Sequence, residues 1–187
     1  MNTQVILSNS LIHASPLRDG DFDLLYEAAS DPLIWQQHPN PDRYQQEVFQ
    51  NFFHHALLSN GAYLVRDKQT GQVIGSSRYY NFNPVNNTIL IGYTFFRRSH
   101  WGGFYNYSLK YLMLNHAFQS VDEVYFHIGS QNFRSQKSIE RLGASKTKEI
   151  IITYEGEPER LNIEYVITKD KWPQISAYLL SCIDKKE

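Results

Sequence analysis

Residues 97–106 read Arg97-Arg98-Ser99-His100-Trp101-Gly102-Gly103-Phe104-Tyr105-Asn106, and they stand between a predicted strand and a predicted helix. The strand, Thr88–Phe96, is apolar on both alternating faces, which is typical of a strand covered on both sides. The helix carries apolar residues on one face from Tyr105 to Ala117. A glycine-containing turn that enters a helix presents backbone N–H groups at the positive end of the helix dipole. The stretch therefore predicts an anion site, although many helices begin after Gly-Gly without any ligand.

Upstream of this stretch, the pattern predicts a strand, two helices and then a meander of strands. The first strand is predicted at residues 11–14, and the helices follow the potential capping residues Asp21 and Asp42. Their apolar residues recur at helical spacing: Leu24, Leu25 and Ala28 in the first helix, and Tyr44, Val48, Phe52 and Ala56 in the second. Strands at residues 62–65, 73–80 and 88–96 are separated by short turns, so they form an antiparallel meander.

Downstream, the alternation continues to the end of the chain. A strand at residues 121–128 follows the helix that begins after Gly103, and a strand–helix–strand crossover makes it a parallel neighbour of residues 88–96. The next helix covers residues 132–142 and stops at Gly143. Two more strands, at residues 146–154 and 161–168, flank a hairpin loop at residues 155–158, and a last helix covers residues 172–183.

Composition predicts one soluble domain over residues 1–187 and excludes several kinds of function. The net charge of −1 gives no field that would recruit nucleic acid or an anionic membrane. The single Cys182 excludes an internal disulfide and a cysteine-based metal cage, and a reducing, cytoplasmic setting is compatible with it. We find no signal-peptide pattern and no apolar run long enough to span a membrane. Aromatic residues make up 14% of the chain, which a large aromatic core mostly explains.

Several short motifs occur in a recognisable order. Ile91-Gly92-Tyr93 precedes Trp101-Gly102, and Asn132 precedes Ser135 and then Leu142-Gly143-Ala144. Glu164-Tyr165-Val166-Ile167 follows, and then Trp172. In this order and spacing the chain resembles the GNAT superfamily of acyl-CoA-dependent N-acetyltransferases, in its RimJ/RimL-like branch. The resemblance covers residues 11–172 and is carried by the combination of the motifs, since each of them alone is weak.

The resemblance implies an α/β (α+β) fold: a mixed, mostly antiparallel seven-stranded sheet, splayed between its two central parallel strands, with helices on both faces. It implies acetyl-CoA as cofactor. The pantetheine arm would pair with the first central strand, the pyrophosphate would sit on the glycine turn, Asn132 would bond the arm, and Ser135 could touch a phosphate. The cofactor-binding residues implied in this way are Phe95, Phe96, Arg98, Trp101, Gly102, Gly103, Phe104, Tyr105, Asn106, Asn132 and Ser135.

The chain departs from the family pattern at four positions. The turn usually begins with Gln or Arg and ends with Gly or Ala, whereas this chain has Ser99 and Phe104 there. Many members place a Tyr, as proton donor to the thiolate, where this chain has Ile139. Many RimJ/RimL-like members carry an acidic residue where this chain has Leu90. Both usual acid–base residues are therefore replaced by apolar ones.

His127 and Tyr93 are the remaining candidates for catalysis. His127 lies late on the second central strand, and histidine titrates near neutrality, although a structural role is the commoner one for a strand histidine. Tyr93 could point into the cleft or pack as a core ring. His54 and His55 are adjacent and do not share a helix face, so no metal site is predicted. Cys182, in the last helix, is a poor candidate for a nucleophile.

The expected function is transfer of an acetyl group from acetyl-CoA to a primary amine, on a protein N-terminus or a small molecule. The amine would attack the thioester directly in a ternary complex. The alternative is a non-catalytic acyl-CoA or small-ligand binding protein, acting as a sensor. The acceptor would be selected by residues 22–58, which include Trp35, His38 and Tyr44, and by residues 150–162, which include Glu155, Glu157 and Glu159. Its identity, the length of the acyl group and a possible homodimer stay open.

Overall fold

The computed structural model describes residues 1–153 and 159–184. Within these residues, eight strands form one sheet in the order β1-β2-β3-β4-β5-β6-β8-β7. The strands are β1 (Leu7–Ser8), β2 (Ile12–Pro16), β3 (Ala62–Asp67), β4 (Val73–Asn83), β5 (Thr88–Phe96), β6 (Glu123–Gly129), β7 (Ser145–Ile152) and β8 (Arg160–Thr168). The helices are α1 (Phe22–Ala29), α2 (Pro32–Trp35), α3 (Gln46–Leu58), α4 (Phe104–Ala117), α5 (Phe133–Arg141) and α6 (Trp172–Ile183).

The sheet opens at its one parallel pair among the described strands. β5 and β6 pair only from Thr88 opposite Glu123 to Leu90 opposite Tyr125. β6 pairs with β8 along its whole length, on its other edge. Beyond Leu90, β5 continues to Phe96 alongside β4. The two strands therefore separate and leave a gap in the middle of the sheet, as the splayed fold requires.

A bulge in β5 accompanies this opening. The register of β4 and β5 shifts between Ser76 and Arg78, which lie opposite Phe95 and Gly92. Tyr93, inside the shifted segment, has φ = 53°. A bulky residue rarely adopts a positive φ, because its Cβ crowds the backbone, and such residues cluster at functional sites. An extra residue on one strand also bends that strand, so the bulge re-aims the end of β5.

Two hydrophobic layers cover the two faces of the sheet. On one face the core includes Leu109 and Met113 of α4 and Leu179 of α6. On the other face it includes Leu25 of α1 and Phe49 of α3. Because side chains alternate along a strand, β3, β4 and β5 contribute to both layers. The gap between β5 and β6 therefore connects the α4 side of the molecule with the α3 side.

The predicted fold class is confirmed, with one more strand than the sequence indicated. The added strand is β1, whose two residues pair antiparallel with His13 and Ala14 of β2. Two residues are too few for an alternating pattern to show. The short helix α2 was missed for the same reason; there the Asp31 carboxylate accepts a hydrogen bond from Leu33 N at 2.9 Å.

Three other local predictions were wrong. Asp42 does not cap α3; it lies in the 3₁₀ turn Pro41–Tyr44, where its carbonyl accepts from Gln45 N at 2.9 Å. Tyr44 belongs to that turn and not to the helix, which begins at Gln46. Leu24 is exposed and not buried with the rest of α1. The hairpin loop predicted at residues 155–158 lies outside the described residues, as does the end of the strand predicted at 146–154. Among the helices described, none has the length and apolarity needed to cross a bilayer.

Candidate active site

The gap between β5 and β6 forms a cleft of about 500 Å³. One wall is in the α4 layer: Phe126 of β6 and Ile139 of α5 belong to that core and line the cleft. The opposite wall includes Trp35 and Tyr93, which pack with the α3 layer. His127 follows Phe126 on β6, so its side chain faces the α3 layer. The cleft thus offers two different chemical surfaces, one on each side of the sheet.

The glycine turn lies at the wide end of this cleft. Gly102 and Gly103 have φ values of 108° and 122°, and both line the cleft. A Cβ at Gly102 would meet no atom within 4 Å, so the backbone there is open to a ligand. Gly103 occupies the N-cap position of α4, and its carbonyl accepts from Tyr107 N at 2.8 Å. The N–H groups of the first turn of α4 have no acceptor within the helix, as an anion site requires.

Trp101 and Arg134 frame the same end. Trp101 Nε1 donates to the Phe96 carbonyl at 2.9 Å. Since Arg97 N donates to β4, the Phe96 carbonyl points away from β4 and towards the cleft. The Arg134 guanidinium lies 4.1 Å from the centroid of the Trp101 ring, and its Nη2 donates to Ile34 O at 2.6 Å. These contacts hold a cation and an aromatic ring beside the glycine turn.

α5 supplies polar and cationic groups to the cleft. Asn132 is buried and caps this helix, since its Oδ1 accepts from Ser135 N at 3.2 Å. Asn106 Nδ2 donates to Ser138 Oγ at 3.0 Å, which ties the start of α4 to α5. Arg134, Lys137 and Arg141 also line the cleft. Cations beside exposed N–H groups make this end suited to phosphates.

Most of the predicted cofactor-binding residues meet at this cleft. Those that line it are Phe95, Phe96, Trp101, Gly102, Gly103, Asn106, Asn132 and Ser135. The side chains of three others are directed elsewhere. Arg98 forms an ion pair with Asp31, Tyr105 Oη donates to Asp67 Oδ2 at 2.5 Å, and Phe104 is partly exposed to solvent. Arg98, Phe104 and Tyr105 lie outside the cleft lining, so any role in holding a ligand would fall to their backbone.

His127 is held by a carboxylate. Its Nε2 lies 3.2 Å from Glu164 Oε2, and both side chains are largely buried. Thr147 Oγ1 donates to the other oxygen of Glu164 at 2.7 Å. Burial lowers the pKa of His127, and the hydrogen bond to Glu164 opposes that shift. A neutral imidazole that donates its Nε2–H to Glu164 keeps Nδ1 as a proton acceptor.

Tyr93 and His38 complete the α3 side of the cleft. The Arg78 guanidinium lies 4.1 Å from the centroid of the Tyr93 ring, which fixes that ring at the bulge. His38 Nδ1 accepts from Asn40 N at 2.9 Å. Burial first, and then the charge of Arg43, hold the pKa of His38 well below its ordinary value. This shift favours the neutral form of His38.

The sequence reasoning missed Lys110. This residue of α4 is 3% exposed and lines the cleft on the α4 side. Its Nζ donates to Thr94 Oγ1 at 2.6 Å and to Ser77 Oγ at 3.2 Å. Burial lowers the pKa of Lys110 to about 7. A signal was available, because a lysine three residues before Met113 falls on the apolar face of the helix, where a lysine is exceptional.

Comparison with solved structures finds the same architecture in acetyltransferases. A GCN5-related N-acetyltransferase from Brucella melitensis matches with a TM-score of 0.84 and 17% identity, covering 95% of this chain and 85% of that one. Spermidine N-acetyltransferase from Vibrio cholerae, in complex with CoA and spermine, matches with a TM-score of 0.66 and 15% identity over 88% and 99% of the two chains. Mycobacterium smegmatis RimJ, in complex with CoA-disulfide, matches with a TM-score of 0.69 and 15% identity over 95% and 92%.

The sequence comparisons give one family and no individual relative. The search among curated proteins found no match. The model of the acetyltransferase (GNAT) domain matches residues 13–145, which is well over half of the chain. That segment includes both strands of the cleft, the glycine turn and α5. The chain therefore belongs to the acetyltransferase (GNAT) domain family.

Proposed function

We propose that this protein is an acetyl-CoA-dependent N-acetyltransferase that modifies a primary amine on a peptide N-terminus or a small molecule. Its family transfers acetyl groups from acetyl-CoA to amines in general. The observation that carries the proposal is the cleft between β5 and β6, which joins an anion-suited glycine turn to a histidine held by a carboxylate.

The residues at the wide end fit acetyl-CoA. The open backbone at Gly102 and the first-turn N–H groups of α4 would hold the pyrophosphate. Arg134, Lys137 and Arg141 add positive charge there, as the phosphates require. The Phe96 carbonyl is engaged by Trp101, so the arm would pair with other backbone groups of the β5 edge. When bound, acetyl-CoA supplies an activated thioester.

The opposite side of the cleft fits an amine acceptor. His127 would take a proton from the attacking amine through Nδ1, while Glu164 orients the ring and stabilises its charged form. Tyr93, beside the same space, would position the acceptor. Direct attack in a ternary complex needs no nucleophile from the chain, in keeping with Cys182, which lies in α6 outside the cleft lining.

The RimJ/RimL-like branch is the assignment within the family that we favour. It rests on Ile91-Gly92-Tyr93 at the bulge and on Trp101-Gly102 at the turn. The similarity to spermidine N-acetyltransferase suggests polyamines as one acceptor class to compare with peptide N-termini.

The test is a pair of measurements. Calorimetry with acetyl-CoA asks whether the cofactor binds, and thiol release asks whether any amine is acetylated. The amine panel would contain N-terminal peptides, spermidine and free amino acids. We expect binding, together with thiol release from at least one class. Failure to bind at millimolar acetyl-CoA would reject the proposal, whereas binding with no release from any amine would favour a sensor of acyl-CoA.

A further inference from the structure

Lys110 is a buried amine whose hydrogen-bond partners among the described residues are two hydroxyls. Within residues 1–153 and 159–184 no carboxylate pairs with it, and burial alone accounts for its lowered pKa. Its Nζ also lies 5.9 Å from the centroid of the Phe126 ring. Burying a cation without a counter-charge costs free energy, so a purely structural role would be served better by an apolar residue. The position therefore calls for a chemical explanation.

The location of Lys110 within the cleft supplies a chemical explanation for the buried amine. The last parallel pair is Leu90 with Tyr125, and Phe126 is the next residue of β6. The Lys110 amine thus lies within the gap, near Phe126 at its closed end and against Thr94, four residues past Leu90 on β5. Under the proposed function, an arm held at the glycine turn and extended along the gap would bring its thioester towards this amine.

Other groups near this wall have no proton to give or donate it elsewhere, whereas the Lys110 amine lies in the cleft itself. Ile139 has no proton to give. Tyr79, on the same face of β4, donates its hydroxyl proton to Met113 O at 2.5 Å. Lys137 and Arg141 of α5 line the cleft as well, and both are cations that add no negative charge near Lys110. His127, the proton acceptor of the proposed function, faces the opposite layer.

We propose that the Lys110 ammonium is the acid of the transfer, with Thr94 and Ser77 holding Nζ in place. As the amine nitrogen bonds to the carbonyl carbon and the C–S bond breaks, the electron pair of that bond goes to sulfur. Lys110 gives one proton to this sulfur, which leaves as the thiol. His127 receives the proton of the amine, and exchange with solvent restores both side chains. The inference rests on the proposed function and adds a residue to it.

The test compares single-turnover rates of wild type, Lys110→Met and Lys110→Arg by rapid mixing. Methionine fills the same space without a proton, and arginine keeps the charge but does not release a proton near neutrality. We expect both variants to lose at least ~100-fold in rate, the usual contribution of a general acid. Their affinity for acetyl-CoA should stay unchanged. Lys169→Met, an exposed lysine paired with Asp122 outside the cleft, is the control that should keep the wild-type rate.

The pH profile separates proton transfer from charge. The wild-type rate should fall as pH rises above about 7, because Lys110 then loses its proton. Lys110→Met should lack this decline. Thr94→Val should lower the rate several-fold, with rescue by Thr94→Ser, which restores the hydroxyl.

The outcomes are distinct. A wild-type rate in Lys110→Met, or full activity in Lys110→Arg, would overturn the role of Lys110 and leave the proposed function standing. The role of Lys110 would also be overturned if the wild-type rate showed no decline between neutral and alkaline pH. This measurement does not depend on whether a variant folds. No thiol release by the wild type would overturn both proposals.

Discussion

Gly102 is the residue on which the cofactor site most depends. At φ = 108° an L side chain is strained, and the space beside the backbone is open. We expect Gly102→Glu to weaken acetyl-CoA binding by more than ~100-fold, about 2.8 kcal/mol, because a carboxylate would enter the proposed phosphate site. Calorimetry measures the effect.

Gly71 offers a matched control for that substitution. It has φ = 73°, no atom lies within 4 Å of a Cβ there, and it belongs to the turn between β3 and β4. Gly71→Glu therefore adds the same charge and a comparable backbone strain away from the cleft. It should cost stability and leave the affinity for acetyl-CoA intact. Equal losses of affinity in both variants would move the phosphates away from Gly102.

Lys110 also makes stability depend on pH in a definite direction. Its pKa falls from 10.5 in the unfolded chain to about 7 in the folded protein. Between these values the unfolded state binds more protons, so the free energy of unfolding rises with pH. Below pH 7 both states are protonated, and the folded state bears the full cost of the buried charge.

Lys110→Met should therefore be more stable than wild type at pH 6, and its advantage should shrink steadily above pH 7. Urea unfolding at a series of pH values measures the difference between the two proteins, in which the titration of all other groups cancels. A difference that stays constant from pH 6 to pH 9 would show that the folded Lys110 has an ordinary pKa.

At the scale of elements, α5 shows how one side chain can serve both fold and ligand. Asn132 caps this helix through Ser135 N and also lines the cleft. We expect Asn132→Ala to lower the free energy of unfolding by about 1 kcal/mol, the usual cost of a lost N-cap. Asn132→Asp keeps the acceptor oxygen, so it should retain wild-type stability. Its added charge should nevertheless weaken acetyl-CoA binding.

Chemical denaturation and calorimetry on the two variants separate the roles. If only Asn132→Ala loses affinity for acetyl-CoA and Asn132→Asp binds it as tightly as wild type, the role of Asn132 is limited to capping the helix. Stability lost equally in both variants would mean that the cap contributes nothing.

The elements that sequence predicted best are those with many residues in a regular pattern. α4, α5, α6 and the long strands show their period over seven or more positions. β1 and α2 are too short to show a period. The cap predicted at Asp42 was wrong because this residue belongs to a 3₁₀ turn a few residues before the helix. The opening between β5 and β6 was predicted only from the family resemblance. The pairing of these strands ends at Leu90, and where it ends depends on how β6 pairs with β8.

The candidate site was predictable in part. Gly102 and His127 were predicted from their residue types and neighbours in sequence, and Asn132 from the family resemblance; all three line the cleft. The side-chain directions of Arg98 and Tyr105 were not, since their partners, Asp31 and Asp67, are far away in sequence. Such contacts depend on tertiary packing, which local pattern does not encode.

At the scale of the whole molecule, the opening in the sheet coincides with a division of the chain. The five strands from β1 to β5 come from residues 7–96, and the three from β6 to β8 come from residues 123–168. Each group is built largely from neighbours in sequence, such as the β4–β5 and β7–β8 hairpins. Local contacts form early in folding, because they close short loops.

Among the described strands, the pairing between the two half-sheets is limited to residues 88–90 with residues 123–125. The two half-sheets share the core on the α4 side, but their strand pairing is confined to this short segment. A ligand in the cleft would contact both half-sheets. A bound ligand would complete the tertiary structure as well as occupy a site, and the binding free energy would become part of what keeps the two halves together.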